Sequence, residues 1–366
     1  MAEQTVDDQS NTLETGRVTV LTGSYTPDTG GAGVGVTALR FTPGDELRVV
    51  DAVAASGASY LAAHPTLPVV YTTHESTPGA VGAFALREDA APVPLGAPLT
   101  SGGANPCHVS VHPSGGFLLT ANYGTDTLPG TVAVHRLDGD GRLADLTDVV
   151  EHKGSGPVAG RQEGTHAHQV ITDPAGRYIL ATDLGADTVF TYQLDADTGK
   201  LTPVAASQLR PGSGPRHLAF TPSGDLVLSA DELSSTVTCH RYDAETGTLH
   251  ELSRVPATAV ADIPNQPGGI VTSECGRYVW VTNRGADTVA AFRIAGTELE
   301  PLGEVPSGGN WPRGLTPAPG CLLVANQHSG TVAALGVSGD GSLVEAGVVV
   351  EVASVVCALV VCAWVV

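Results

Sequence analysis

Seven stretches of the chain are copies of one another, and this repeat constrains the fold more than any other feature. The clearest copies are "VITDPAGRYILATDLGADTVFTYQL" from Val170, "LAFTPSGDLVLSADELSSTVTCHRY" from Leu218 and "IVTSECGRYVWVTNRGADTVAAFRI" from Ile270. Weaker copies start at Leu61, Val109 and Gly314, and a degenerate first copy starts at Val18. Each reads as strand, Pro/Ser-Gly turn, strand, Gly-Ala-Asp-like turn, strand, and often a DGDG or DADTG turn before a fourth strand. Alternating apolar residues and Val, Thr and Tyr enrichment support the strands, and Gly, Pro and Asp supply the turns. One four-stranded unit cannot bury both of its faces. Seven of them in series predict an all-β, seven-bladed β-propeller of four-stranded blades. Two separate all-β domains are the rival organisation, but the even spacing offers no place to cut.

The ends of the chain fit one closed ring. Residues 17–360 are expected to form a single propeller domain, preceded by a disordered acidic tail over 1–16 and followed by an apolar extension over 361–366. The start lacks the basic and apolar regions of a signal peptide. After Glu351 the chain is apolar for only 15 residues, short of the roughly 20 that a membrane helix needs. Its valines fit a buried strand that completes the first blade and closes the ring.

The formal charge of −20, with Lys153 and Lys200 the only lysines, repels nucleic acid and anionic lipid, so neither is an expected partner. The same balance suits a salt-rich cytoplasm. None of the six cysteines forms a CxxC pair; they read as buried free thiols in a reducing compartment. A monomer or weak homo-oligomer in the cytoplasm is expected.

Function is sought where the repeats differ. The copies align on Pro65, Pro113, Pro174, Pro222, Glu274 and Pro319. Six residues earlier, at the start of each first strand, stand Ser59, Cys107, His168, Arg216, Gly268 and Arg313. At the end of each second strand stand Glu75, Tyr123, Leu184, Glu232, Arg284 and Gln327. The two strands form an antiparallel hairpin, so both variable slots face one mouth of the central channel. The neighbouring His74, Asn122, Asp183, Asp231, Asn283 and Asn326 are polar in every copy, which points to a shared structural task.

His168, Arg216, Glu232 and Arg284 would converge from three consecutive blades. An imidazole, a carboxylate and two guanidiniums suit an anionic carbonyl substrate. Arginine forks grip carboxylate, phosphate or an oxyanion, and His and Glu exchange protons. The "HAH" pair of His166 and His168 could instead ligate zinc, but no Cys or His cluster accompanies it in sequence; no metal and no cofactor is expected. "TGGAGVGV" matches no phosphate loop, and no Gly-x-Ser-x-Gly elbow is present. A non-catalytic scaffold would present an exposed aromatic patch with no charged constellation at the channel mouth.

These residues lie in segments that resemble a known family. "TGSYT", "HPSGGFLLTANYG", "THAHQV", "DLGADTV", "GPRHLAF", "DELSSTV", "NRGADTV" and "WPRGLTPAPGCLLVANQ" follow in order over about residues 18 to 337. They resemble the seven-bladed β-propeller lactonases, a family of 6-phosphogluconolactonase-like and muconate-lactonizing enzymes. "VASVVCALV" is similar to the family's ending, whereas "VCAWVV" departs from it. The resemblance carries the family's implicated positions onto His168, Arg216, Glu232 and Arg284. It implies hydrolysis of a sugar lactone, 6-phospho-D-glucono-1,5-lactone to 6-phosphogluconate in the pentose phosphate pathway, without a metal. Glu232 or His168 would be the base, with Arg216 and Arg284 on the oxyanion or the acidic substituent. His166, His108, Asn122, Tyr123 and Arg313 follow as substrate-binding candidates. An unphosphorylated sugar lactone, or a lactone-forming cycloisomerization on the same four residues, are the alternatives.

Overall fold

The second strand of each repeat is the most apolar, and it is buried along nearly its whole length, as in Val69–His74, Phe117–Asn122 and Ile179–Asp183. Such runs suit a strand covered on both faces. The fourth strands, such as Leu143–Glu151 and Lys200–Gln208, alternate between covered and exposed positions and lie at the rim. The computed structural model describes residues 18–87 and 90–361. Among these it forms seven antiparallel sheets and no α-helix, confirming the seven-bladed propeller.

The innermost strands of blades two to seven are Leu61–Ala63, Pro106–Val111, Ala167–Thr172, Pro215–Phe220, Gln266–Thr272 and Pro312–Ala318. The first blade takes its innermost strand from the other end of the chain. Val355–Val361 pairs with Val18–Ser24, and each innermost strand touches the next until the ring closes. The valine-rich terminal run is therefore a strand. It is preceded by Leu343–Glu351, the outer strand of the seventh blade. The second blade departs from the repeat. Pro92, Pro94, Gly96 and Pro98 break its outer strand into Val93–Pro94 and Leu99–Thr100, both on Ala80–Ala85.

The core lies between blades. Phe117, Leu119 and Val132 of blade three pack on Ile179, Ala181 and Tyr192 of blade four. Leu228 and Val237 meet Val279, Val281 and Phe292, and Val20 and Phe41 meet Leu323 and Val332. Each such side chain contributes about 1.5–3 kcal/mol by leaving water. The axis itself is left to polar groups.

The five described cysteines are unbridged. Cys107, Cys239 and Cys357 are buried as expected, but Cys275 is exposed on a turn. The expected tail over 1–16, and 362–366 of the expected extension, lie outside the described residues. No described helix is long and apolar enough to cross a membrane.

Candidate active site

The two variable slots coincide with a repeated backbone device. On the innermost strands Cys107, His168, Arg216 and Arg313 are each the extra residue of a β-bulge. Blade six has its bulge between Pro267 and Ile270, and the first blade has one at Val356. A bulge leaves one residue out of the ladder and re-aims its side chain. One hydrogen bond then fixes the second slot: the N–H of Glu75, Tyr123, Leu184, Glu232 and Gln327 donates to the carbonyl of Gly57, Asn105, His166, Gly214 and Trp311 at 2.8–3.0 Å. Tyr25 makes the same bond to Ser354, at 3.1 Å. Tyr25 is therefore the first blade's member of the set, hidden in the sequence because its partner strand lies at the far terminus.

Glu232 is the hub. Its Oε1 accepts from Arg161 at 2.5 Å and its Oε2 from Arg284 at 2.5 Å, with Arg216 Nε 3.4 Å away. Burial alone would raise the Glu232 carboxyl, but Arg284 and Arg216 outweigh it and hold it well below the carboxylate range. Arg284 is anchored besides: its Nε and Nη2 donate to the carbonyls of Gln266 and Pro267, and its guanidinium lies over Trp311. Arg216 keeps more freedom. Its Nε has no hydrogen-bond partner, and Nη1 lies 3.3 Å from His217. Burial and the neighbouring Arg284 lower it to about 9, so it remains a cation at neutral pH.

His168 is buried, and its Nδ1 has no partner. Burial, then Arg216, push it well below the ordinary histidine range, although Glu232 pulls the other way. The imidazole is neutral at neutral pH, with a free ring nitrogen. Its ring meets Tyr123 and His217 edge-on.

The substrate-binding candidates separate. Tyr123 stacks on His166 at 4.2 Å, its hydroxyl meets Arg161, and its carbonyl lies 3.0 Å from His166 Nδ1. His166 and His168 thus flank one tyrosine, and no described trio of His, Cys, Asp or Glu is placed to hold a metal ion. Arg313 lies over Tyr25 and makes no ion pair among the described residues. Tyr25 in turn donates to Glu75 Oε1 at 2.9 Å, leaving the buried Oε2 of Glu75 unpartnered. His108 sits one residue beyond its bulge, against Tyr60 and His217, in a second layer of the channel. Asn122 is a correction. Its amide donates to the Ser101 carbonyl and the Thr131 hydroxyl, both at 3.0 Å, and it is fully buried. Asn283 and Asn326 bond the Ala257 and Ser307 carbonyls in the same way. These amides clip one blade to the end of the blade before it, as the recurring polar position suggests.

Arg161 was missed by the repeat because it belongs to no repeat. It sits in the long connection 152–166, which carries the chain from the rim of blade three to the channel side of blade four. Such connections must cross the mouth, so an arginine in the longest of them was a usable signal.

The fold and site define a class: a propeller whose one channel mouth gathers four guanidiniums, two carboxylates and a neutral imidazole. Within that class, the chain belongs to the family described as Lactonase, 7-bladed beta-propeller, which matches residues 19–360. It is 32% identical over 280 residues to a 6-phosphogluconolactonase of Bacillus subtilis, covering 75% of this chain and 78% of the relative. A 6-phosphogluconolactonase of Formosa agariphila is 28% identical over 322 residues, covering 85% and 90%. The periplasmic gluconolactonase of Pseudomonas aeruginosa superposes with a TM-score of 0.88 at 27% identity, covering 95% and 99%.

Proposed function

We propose that this lactonase hydrolyses a sugar lactone bearing an anionic substituent, 6-phospho-D-glucono-1,5-lactone, to 6-phosphogluconate, a step of the oxidative pentose phosphate pathway in the cytoplasm. The observation that carries the reading is charge. Arg161, Arg216, Arg284 and Arg313 face Glu75 and Glu232 at one mouth, a local cationic excess in a chain of net charge −20. Such an island attracts an anion that the rest of the surface repels. The relatives divide between phosphorylated and plain lactones, and the excess favours the phosphorylated one. A charged constellation in this place also argues for an active site over a scaffold.

His168 takes the first proton, because its neutral ring has a free nitrogen while Glu232 is held by guanidiniums. Water attacks the lactone carbonyl carbon as its proton passes to His168. Arg216, whose Nε makes no hydrogen bond beyond its ion pair with Glu232, stabilises the oxyanion. The ring C–O bond then breaks, and the depressed imidazolium returns the proton to the departing ring oxygen. Glu232 offsets the transient imidazolium charge and fixes Arg216 and Arg284. The test is a pH-stat comparison of 6-phosphoglucono-1,5-lactone, glucono-1,5-lactone and a carboxymuconolactone. Opening of the phosphorylated lactone well above its spontaneous rate, with a higher kcat/KM than the plain lactone, is expected. Equal or better turnover of either of the others would overturn the assignment.

A further inference from the structure

Three guanidiniums approach Glu232, and they are not equivalent. Arg216 and Arg284 are 3% and 5% exposed and sit on blade strands. Arg161 is one-third exposed, at 33%, and sits on the crossing connection. It holds two groups at once, the Glu232 carboxylate and the Tyr123 hydroxyl. It is therefore the cation that can leave Glu232 without carrying a strand with it.

The base of this arginine is rigid, while its tip is partly exposed. The next residue, Gln162, is fully buried and donates to the Leu184 carbonyl at 2.7 Å and to Asp187 Oδ1 at 2.8 Å. The same Asp187 accepts from the N–H of Gly212 and Gly214, which lead into the Arg216 bulge. The connection also lies hard on blade four: a Cβ on Gly185 would fall 1.9 Å from the Gly164 carbonyl oxygen. Asp187 thus ties the Arg161 segment and the Arg216 segment to one carboxylate, fixing how far Arg161 can reach.

We propose that Arg161 is the specificity-determining residue of this site: it exchanges Glu232 for the phosphate of the bound lactone, and Gln162 is its positioning residue. A phosphate offers the planar guanidinium fork a doubly charged partner with two oxygens to grip, in competition with a single carboxylate oxygen. When Arg161 transfers, Glu232 loses one of its cations and its field on His168 strengthens. Substrate charge is thereby read twice, once as binding and once as increased basicity of His168. His168 is also faced by Arg216, Arg284 and Arg313 and edged by Tyr123 and His217. None of these is released by the exchange.

The inference rests on the lactonase reading for its second half only, and the experiment separates the two. Binding of 6-phosphogluconate and of gluconate is measured by calorimetry for wild type, Arg161→Ala, Arg161→Lys and Gln162→Ala. Turnover of both lactones is followed in mildly acidic buffer. In wild type 6-phosphogluconate binds more tightly than gluconate. Arg161→Ala loses about 10- to 100-fold of that preference, the worth of one charge-assisted contact. Arg161→Lys recovers part of it, and Gln162→Ala falls between. In Arg161→Ala the KM for the phosphorylated lactone rises by the same factor, while kcat on glucono-1,5-lactone rises because Glu232 has lost a cation. A merely structural arginine would lower both and leave the ratio alone. An unchanged binding preference in folded Arg161→Ala overturns the inference. Binding that depends on Arg161, without lactone opening in wild type, supports the phosphate contact and refutes the lactonase reading instead.

Discussion

Glu232 on the fifth blade and Arg284 on the sixth meet at 2.5 Å, closing the mouth between two blades with a buried carboxylate and guanidinium. Neutralising the carboxylate by Glu232→Gln leaves Arg216 and Arg284 buried with no opposite charge beside them. Breaking a buried pair from one side costs about 3–5 kcal/mol. A loss of that order in urea unfolding is expected, together with a kcat lowered at least about 100-fold. A wild-type midpoint would show that the pair does not hold the blades.

The same carboxylate makes the fold sensitive to acid. Its folded pKa is depressed, so its contribution is complete above the unfolded value of about 4.5 and is lost as pH falls toward the folded one. Buried histidines act in the same direction but sooner. His108 is pushed down to about 3 by burial and His168 well below its ordinary value, so their contribution fades as pH drops below about 6.5. Wild-type stability should fall in two stages. His108→Gln should shrink the first without abolishing it, since His168, His217 and His240 are depressed as well, and Glu232→Gln should shrink the second, read as unfolding midpoint against pH.

His168→Ala should lower kcat by about 10²–10⁴, with a fall in melting temperature from the cavity that the buried ring leaves. Because wild-type His168 is already neutral at neutral pH, kcat/KM should be flat there and decline only in acid. A bell centred near neutrality would mean that another group takes the proton, and activity surviving in His168→Ala would point to Glu232.

The slots were legible because a repeat gives an internal alignment. His168, Arg216, Glu232 and Arg284 occupy matching places in neighbouring blades, and hairpin pairing puts those places at one end. What the sequence could not convey is the bulge, since an extra residue in a strand has no signature when six of the seven copies carry it. Tyr25 escaped because its blade is built from both termini, and Arg161 because a connection has no counterpart in the repeat. Asn122 stood beside the slot in sequence, yet its side chain turns toward Ser101, a contact that only the blade boundary reveals.

The closing strand provides the most severe test of the ring. Val355–Val361 is the innermost strand of the first blade and forms six register pairs with residues 19–24. Its neighbours are the innermost strands of the second and seventh blades. Val355, Val356, Cys357 and Val361 are buried, and Cys357 and Val361 pack in one cluster with Leu21, Val36, Leu61 and Phe84. Ending the chain at Ser354 removes these side chains and exposes the inner edge of the first blade. Four buried side chains of this size contribute on the order of 6–12 kcal/mol, comparable to the whole stability of a typical domain. The truncated chain should therefore lose its cooperative thermal transition. A synthetic peptide of residues 355–361, added in trans, should restore part of it, because the groove it fills is formed by strands that the truncation leaves in place. A truncated chain that still melts cooperatively near the wild-type temperature would mean that six blades and an open seventh hold together unaided.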